Sequence, residues 1–505
     1  MKYLLSICLC LFASFLNAET KADSKAEPKN EQAENLAKII PQKATLANGI
    51  KLIVFKNPIL PSVTVWTSYD VGTADDPVDL VGLSHMLEHM MFKGTQKHPE
   101  GAIDKIINQL GGELNAFTNF DYTVYTFSVP AQYLETVFDI EADRMENLNF
   151  SEASFLAEQK VVLEERQMRI GNHPLRTAAE VSRRAQFIAH PYGIYPIGYE
   201  GHIKAYTYKA IIDHYKKWYV ANNATIYVVG PYDLEHVLPI FEEKFGKIAP
   251  KKMPTRNRLS EPSREGLTTT VEQENSRAEN IYVEIFYRAP TLIKNAAEFL
   301  KMQLLVSTLF GSDSRKIYKK MVKEKRLVVD MSANYSYGKD DMGFSFTLQL
   351  APDMDVNAAE AFLFEQLQLI LQNGLEKDDF EAAKQEKMNS FAFAMDGESF
   401  LVSIAEQLIE GFPIDDVAKY GDIINGITIE QAKEMLEMVL SNPPVLIARN
   451  YPKGKMPARN YSIIGKKIEQ KDEPKATVKS VQAPLKKGTK LAFDKKPKKA
   501  IKQGS

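Results

Sequence analysis

Two histidines and a glutamate stand close enough along the chain to form a metal site. His85, Glu88 and His89 follow the pattern H-x-x-E-H. On a helix, His85 and His89 lie one turn apart on the same face, so both imidazoles can bind one metal ion while Glu88 projects beside them. Because this pattern combines two nitrogen ligands with a nearby carboxylate, it predicts a zinc site.

A zinc ion that acts in hydrolysis takes three protein ligands and keeps a fourth position for water, so a third ligand is expected elsewhere. The best source is a predicted helix over residues 151–170, where Glu158 and Glu165 lie two turns apart on one face. We predict that Glu165 binds zinc and that Glu158 orients a ligand or the water. Glu164 is the rival ligand. It points about 100° away from Glu165, so only one of them can face the helix that carries H-x-x-E-H, here called the motif helix.

The residue types predict a hydrolytic reaction. Glu88 is the expected general base: it accepts a proton from the zinc-bound water as that water attacks a peptide carbonyl, and passes it to the departing amine. A carboxylate beside a dication normally has a low pKa, so Glu88 is expected to be ionised at neutral pH. A purely structural zinc is the alternative, but structural sites usually close with four ligands rich in Cys.

Composition limits the classes of function. A chain of 505 residues with 44% hydrophobic content can hold several domains or a duplicated pair. Its 63 Lys and Arg residues are balanced by 65 Asp and Glu residues, so no basic field predicts a DNA or RNA ligand.

The N-terminus has the pattern of a secretory signal peptide, predicted over residues 1–18. An apolar run follows Lys2 and ends near the small Ala18, and it is shorter than the roughly 20 residues of a membrane-spanning helix. We therefore expect export to the periplasm, with an uncleaved membrane anchor as the alternative. The two cysteines, Cys8 and Cys10, fall in this segment, so the mature chain would have neither a disulfide nor a thiolate ligand.

Patterning along the chain predicts an α+β protein with a repeated unit. The segment from Thr207 to Gly230, a helix leading into a strand, is echoed from Thr428 to Pro452. Local patterns predict a hairpin over 43–56, a strand over 63–70, the motif helix over 82–93, two strands within 113–129, and helices over 131–148 and 151–170. The predicted organisation is a polar leader (19–40), an N-terminal zinc-binding domain (41–246), a linker (247–273), a C-terminal homologous domain without zinc (274–465) and a Lys-rich disordered tail (466–505).

Histidine placement predicts one zinc ion per chain. All eight histidines precede the predicted domain boundary near residue 260, so the second unit cannot offer an imidazole to a metal.

At this level of detail the chain resembles the family of pitrilysin, insulin-degrading enzyme and mitochondrial processing peptidase over residues 42–465. The resemblance rests on six segments: Gly82–Thr95, Gly111–Thr118, Asp143–Met145, Val161–Glu165, Pro191–Gly193 and Pro196–Gly198. It implies a zinc metallopeptidase built from α/β-roll domains, each an antiparallel-rich sheet packed by helices.

The resemblance also implies roles for individual residues. It assigns zinc binding to His85, His89 and Glu165, which selects Glu165 over Glu164, and it agrees with Glu88 as base and Glu158 as the supporting carboxylate. It further places Asn115, Ala116 and Phe117 on an edge strand beside the scissile bond, where a peptide could add as an extra strand. The alternative is that these three residues only pack a strand after a Gly-Gly turn.

Members of this family form a clamshell of four related domains, and this chain supplies two, so a dimer is implied. The second unit should carry an Arg and a Tyr that bind substrate and stabilise the oxyanion, but Lys323 and Asp330 stand there. Because an Asp would repel an oxyanion, we expect a heterodimer in which a zinc-free homologous chain supplies both groups. A homodimer that uses Arg326, Tyr335 or Tyr337 remains open.

Two functions follow from these patterns. The leading one is an exported zinc endopeptidase that cleaves short or unfolded peptides. The alternative is a non-catalytic binding or assembly subunit, since some members of the family persist as structural cores. The complete set of His85, Glu88, His89 and Glu165 argues against that alternative, because a structural role needs none of them.

Overall fold

The computed structural model describes residues 40–256, 258–395 and 399–457. The predicted signal peptide, nearly all of the polar leader and the Lys-rich tail lie outside these residues. Within them, no helix combines the length and the apolar character needed to cross a membrane.

The first half of the chain forms a six-stranded sheet. Its strands are β1 (Gln42–Thr45), β2 (Lys51–Lys56), β3 (Ser62–Tyr69), β4 (Glu113–Thr118), β5 (Thr123–Pro130) and β6 (Ala224–Gly230). They lie in the order β1-β2-β6-β3-β5-β4, and only the β2–β6 pair is parallel. The predicted hairpin over 43–56 is confirmed as β1 and β2, and the strands predicted within 113–129 are β4 and β5.

The second half forms a five-stranded sheet with the same plan. Its strands are β7 (Thr269–Asn275), β8 (Ile281–Ala289), β9 (Asp330–Ser336), β10 (Met342–Leu350) and β11 (Leu446–Pro452), in the order β7-β11-β8-β10-β9. Only the β7–β11 pair is parallel. Without β1, the first sheet has the equivalent order, so the second half repeats the topology of the first. The predicted α+β class with two homologous units is confirmed.

Helices fill the connections between these strands. In the first half they are α1 (Leu83–Met90), α2 (Ala102–Gln109), α3 (Leu134–Asn147), α4 (Glu152–Arg166), α5 (Pro174–Gln186), α6 (Glu200–Ala205), α7 (Tyr208–Trp218) and α8 (Leu234–Phe245). In the second half they are α9 (Ala296–Phe310), α10 (Lys316–Tyr318), α11 (Val356–Asn373), α12 (Lys377–Met395), α13 (Ser399–Glu410), α14 (Tyr420–Gly426) and α15 (Ile429–Leu440). The motif helix is α1. The helix predicted over 151–170 is α-helical only to Arg166, after which Gln167–Gly171 forms a π-helical turn.

The sequence repeat corresponds to a structural repeat. α7 leads into β6 and α15 leads into β11. Both helices begin at a threonine: the side chain of Thr207 accepts a hydrogen bond from the N–H of Ala210, and that of Thr428 from the N–H of Gln431. A threonine at this position satisfies an N–H group that has no partner within the helix, which explains why both repeats start with this residue.

Both faces of the first sheet are buried, and each faces a different part of the chain. On β3, Val63 and Val65 pack in one core with Met86 of the motif helix. Trp66 points to the other face and packs in a second core with residues of the second half, including Phe346. Because successive side chains of a strand point to opposite faces, the sheet separates the motif helix from the second half.

Charged residues anchor the segment that composition predicted to be a linker. The guanidinium of Arg258 contacts Asp75 and Asp121 of the first half and Asp340 of the second. The carboxylate of Glu261 accepts hydrogen bonds from three consecutive backbone N–H groups, those of residues 188–190, each at 3.0 Å. β7 begins at Thr269, inside the predicted linker range of 247–273.

Candidate metal centre

The start of the motif helix is held by a carboxylate from the preceding loop. Gly82 has φ 98°, a conformation that favours glycine, and its N–H donates to Asp76 Oδ2 at 2.8 Å. Asp76 Oδ1 accepts from the N–H and the hydroxyl of Ser84, and that hydroxyl also contacts His214 Nε2 at 2.9 Å. These contacts satisfy N–H groups of the first turn that have no partner within the helix, and they fix the position at which the helix begins.

The structure brings His85, His89 and Glu165 together. One possible ligand atom from each lies within 4.8 Å of the others, and no other group of this kind with three such residues occurs in the part of the chain that the structure describes. Glu165 Oε2 lies 3.6 Å from His85 Nε2 and 3.3 Å from His89 Nε2. α4 thus supplies the third donor to a pair that α1 presents.

The donor set fits a zinc ion. Two imidazoles and a carboxylate are the ligands of a catalytic zinc site that keeps a position open. Glu165 Oε2 is buried and has no hydrogen-bond partner among the described residues, which is costly for a carboxylate oxygen unless a cation satisfies it. His85 Nδ1 is also buried without such a partner.

A second carboxylate fixes the ring of His89. Glu158 Oε1 lies 2.9 Å from His89 Nδ1, which leaves Nε2 facing Glu165. Glu158 Oε2 in turn contacts Lys93 Nζ at 2.6 Å. Burial would raise the pKa of Glu158, but the hydrogen bonds with His89 and then Lys93 outweigh it and lower this pKa. Glu158 thus contacts a predicted ligand, and its supporting role, in which an outer carboxylate sets the orientation of a ligand, stays a prediction.

Glu88 lies in the same buried region. It is 8% exposed, and burial raises the pKa of its carboxyl group to about 7, while charge on His89 and a hydrogen bond from Thr118 act in the opposite direction. Thr118 Oγ1 donates to Glu88 Oε2 at 2.6 Å. The protein groups alone therefore leave Glu88 only partly ionised at neutral pH, contrary to the expectation from the sequence. A nearby dication would lower this pKa and favour the ionised form.

The groups around the metal position differ in protonation. Burial lowers the pKa of His85 to about 4. Burial also disfavours charge on His89, but the hydrogen bond with Glu158 and the nearby carboxylate of Glu165 outweigh it and raise the pKa to about 10. Burial would raise the pKa of Glu165, yet His85 and His89 lower it to about 2. Since a ligand imidazole must be neutral, metal binding would release the proton of His89.

The other predicted residues lie as follows. Glu164 is exposed and contributes nothing to the cluster. Asn115, Ala116 and Phe117 lie on β4, which is the last strand of the first sheet and packs against the motif helix. The N–H of Ala116 donates to Asn115 Oδ1 at 2.9 Å, whereas the ring of Phe117 packs edge-on to Trp66 at 5.7 Å. Phe117 therefore has a packing role in addition to any contact with a peptide.

The second half holds Lys323 and Asp330 in local contacts. Lys323 Nζ lies 2.7 Å from Asp313, and the hydroxyl of Tyr318 donates to Asp330 at 3.0 Å. Of the residues considered for a homodimer, Tyr335 is 3% exposed, and its hydroxyl donates to the carbonyl of residue 290 and accepts from the N–H of residue 292. Its proton is therefore not available to a substrate. Arg326 is exposed with φ 51°, and Tyr337 packs edge-on to the ring of residue 299 at 4.9 Å.

Three residues that contact the carboxylates of the site were not predicted from the sequence: Lys93, Thr118 and Arg169. Arg169 follows Glu165 at i+4, a spacing that could have indicated its contact with that carboxylate. Lys93 lies beyond the end of the motif helix and contacts Glu158 on α4, so spacing along one helix does not reveal this contact. Thr118 follows the predicted edge strand segment, but its contact with Glu88 joins two elements distant in sequence, which no local pattern reveals.

A histidine pair on one helix, an acid between them, and a glutamate from a second helix define the class of inverted zinc metallopeptidases. Residues 52–190 match the insulinase domain of peptidase family M16, and residues 205–387 match the peptidase M16 inactive domain. The chain belongs to peptidase family M16, which confirms the predicted resemblance.

Several curated relatives are named as zinc proteases. The zinc protease PqqE of Helicobacter pylori is 25% identical over 374 residues, covering 73% of this chain and 83% of the relative. The uncharacterized zinc protease YmxG of Bacillus subtilis is 22% identical, covering 83% of this chain and all of the relative. The probable zinc protease PqqL of Haemophilus influenzae is 31% identical, but the match spans only 41% of this chain and 23% of the relative.

Solved structures share the fold. A protease from Helicobacter pylori superposes with a TM-score of 0.76 at 23% identity, covering 82% of this chain and 100% of that chain. The periplasmic protease PqqL from Escherichia coli gives a TM-score of 0.68 at 19% identity, covering 84% of this chain and 48% of that one. A separate structure of the first half of this PqqL gives a TM-score of 0.69, with 92% of that chain covered. The described fold thus corresponds to about half of the longer PqqL chain.

Proposed function

We propose that the protein is an exported zinc metalloendopeptidase that hydrolyses short or unfolded peptides. The observation that carries this proposal is the cluster of His85, His89 and Glu165, with ligand atoms within 4.8 Å, beside the buried Glu88. The names of its relatives as zinc proteases support the same activity.

Each residue then has a defined task. Zinc, when bound by His85, His89 and Glu165, supplies a Lewis acid that polarises a carbonyl and lowers the pKa of water. Glu88 takes a proton from the attacking water and delivers it to the departing amine. Burial raises the pKa of this carboxyl group and a bound zinc ion would lower it, so the two effects act in opposite directions on the proton that Glu88 accepts and releases. Glu158 keeps the ring of His89 in the orientation that zinc binding needs.

The edge strand β4 supports a peptide as substrate. In the described residues β4 pairs only with β5, so its other edge can accept an added strand. Thr118 at the end of β4 contacts Glu88, which connects this edge to the base. An unfolded segment can extend along such an edge, whereas a folded protein cannot. Asn115, Ala116 and Phe117 are the residues proposed to lie beside the peptide.

We further propose that this chain is the zinc subunit of a heterodimer. Lys323 contacts Asp313, and Asp330 accepts a hydrogen bond from Tyr318. Because both side chains are engaged within the second half, this supports a second chain as the source of the groups that stabilise the oxyanion. The match to about half of the longer PqqL chain is compatible with a second pair of domains supplied separately. Export to the periplasm is supported by the apolar N-terminal run and by the description of PqqL as periplasmic.

The proposal is tested by hydrolysis of a library of quenched fluorescent peptides. The mature chain is assayed with zinc, alone and with a zinc-free homologous chain, together with Glu88→Gln, Glu165→Gln and Glu164→Gln. We expect Glu88→Gln to bind zinc without activity, and Glu165→Gln to lose zinc. Glu164→Gln is the matched control on the same helix and should retain both zinc and activity.

The outcomes separate the alternatives. Activity only in the presence of the partner supports the heterodimer, whereas activity of the chain alone supports a homodimer. Zinc binding without hydrolysis in either case would favour the non-catalytic binding or assembly subunit. Absence of zinc binding by the wild-type chain would refute the metal centre itself.

A further inference from the structure

The two carboxylate oxygens of Glu165 have different surroundings. Oε2 faces the imidazoles, at 3.6 Å from His85 Nε2 and 3.3 Å from His89 Nε2. Oε1 lies 2.7 Å from the guanidinium of Arg169. Glu165 is 13% exposed and Arg169 is 47% exposed, so the arginine approaches the site from the solvent side. The carboxylate is therefore oriented before any metal arrives.

Arg169 lies on the π-helical turn that follows α4. The N–H of Asn172 donates to the carbonyl of Gln167 at 2.7 Å, which is the i to i+5 bond of this conformation. The side chain of Gln167 also donates to Asn172 Oδ1 at 2.9 Å. These bonds hold the turn without Arg169, so a substitution there should leave the backbone intact. Single π-helical turns occur frequently at functional sites.

We propose that Arg169 is a positioning residue that holds Oε1 of Glu165, so that Oε2 alone is presented to the metal. This inference rests on the zinc site of the proposed function. A carboxylate can bind a cation through either oxygen or through both, and it rotates freely when neither is held. The ion pair with Arg169 restricts that rotation. Loss of an outer partner of this kind typically weakens metal affinity by about 10- to 100-fold.

The charge of Arg169 acts in the opposite sense. A guanidinium close to the site repels a dication, so removing it could tighten zinc binding. The two effects therefore predict opposite changes in affinity. Orientation should dominate because the guanidinium is partly exposed, where solvent screens its charge, whereas Glu165 is nearly buried.

Zinc affinity tests the proposal directly. The dissociation constant is measured by competition with a chromophoric chelator for the wild-type chain and for R169Q, R169M, R169K and K160Q. We expect R169Q and R169M to bind zinc about 10- to 100-fold more weakly. R169K should lose less, since an ammonium can still contact Oε1 at one point. Lys160 is exposed on α4 and points away from Glu165, so K160Q removes the same charge and should bind zinc as the wild type does.

Circular dichroism of the metal-free variants checks their folding, and R169M replaces R169Q if the latter does not fold. Unchanged or tighter zinc binding by both variants would overturn the proposal. Peptide hydrolysis at saturating zinc gives a second test, because a positioning role predicts that most of kcat returns. A kcat that stays low while zinc affinity is unchanged would place Arg169 on the substrate instead. If the wild-type chain binds no zinc, the proposed function itself fails. If the wild-type chain binds zinc and R169Q and R169M bind it equally well, only the role of Arg169 fails.

Discussion

Removal of the Thr118 hydroxyl should change the pH dependence of the proposed peptidase activity. Thr118 Oγ1 donates a hydrogen bond to Glu88 Oε2 at 2.6 Å, and this bond favours the ionised carboxylate. In Thr118→Val the side chain keeps its shape and loses the donor. Glu88 must be ionised to accept a proton, so activity falls as the pH drops through its pKa. The substitution raises that pKa and should move the acid limb of the profile to higher pH.

The size of the shift follows from the strength of the bond. A hydrogen bond to a charged group contributes about 1.5–3 kcal/mol, and one pKa unit corresponds to about 1.4 kcal/mol. Loss of the bond should therefore move the acid limb upward by about one to two pH units. A bound dication lowers the pKa of Glu88 in both proteins, but the contribution of Thr118 is the difference between them.

The assay is kcat/KM for a fluorescent peptide across pH, with zinc in excess so that metal loss does not set the acid limb. Thr126→Val is the matched control, because Thr126 lies on the adjacent β5 and donates to the carbonyl of Asn115 at 3.3 Å. Its acid limb should stay in place. If Thr118→Val lowers the plateau without moving the acid limb, Glu88 does not titrate in the observed range and its role as base at this pKa is refuted.

Three further substitutions test the surroundings of the site. Glu158→Gln removes the anion at His89 Nδ1, and calorimetric titration should give zinc affinity about 10- to 100-fold lower; equal affinity would argue against a supporting role. Burial lowers the pKa of His214 to about 3, so it is neutral when folded, and its contribution to stability is present above about pH 6.5 and lost as the pH falls toward 3. Between pH 6.5 and 4.5 the wild type should therefore lose about 2–3 kcal/mol more of its free energy of unfolding than His214→Gln does, as measured by denaturant unfolding. His236 is exposed, so His236→Gln is the control and should behave as the wild type. Arg258→Met should lower the free energy of unfolding by about 1.5–3 kcal/mol, because the buried Asp75 and Asp121 each lose a charged partner while Arg256 and Tyr192 still contact them. A thermal melt unchanged from that of the wild type would contradict this.

Sequence patterns predicted the site where its chemistry is local. His85 and His89 are brought together by one helical turn, and Glu158 and Glu165 by two, so the spacing alone determined which side chains share a face. The meeting of α1 with α4 was expected only because zinc needs a third ligand. The need for a third ligand comes from the chemistry of zinc and not from a local pattern. It therefore indicated a helix with two carboxylates on one face, although that helix is distant in the chain.

The contacts that were missed join elements far apart in sequence or depend on a change of helix type. Thr118 reaches Glu88 because β4 packs on the motif helix, and periodicity carries no information about that pairing. The π-helical turn after Arg166 could not be read from apolar spacing, since Gln167 and Met168 are both exposed. Composition likewise identified a linker around Arg258, but its charges bridge carboxylates of both halves. Whether such charges are solvated or paired depends on the tertiary structure.

The duplicated topology shows that the scaffold does not need the metal centre. In the first half, the connection from β3 to β4 carries the motif helix with two histidines and a buried glutamate. In the second half, the connection from β8 to β9 carries α9, whose buried residues are almost all apolar. Burying ionisable groups costs free energy that apolar residues do not cost. The same strand order forms with either helix, so folding alone would favour the apolar version. The polar groups of the motif helix are therefore best explained by what they bind.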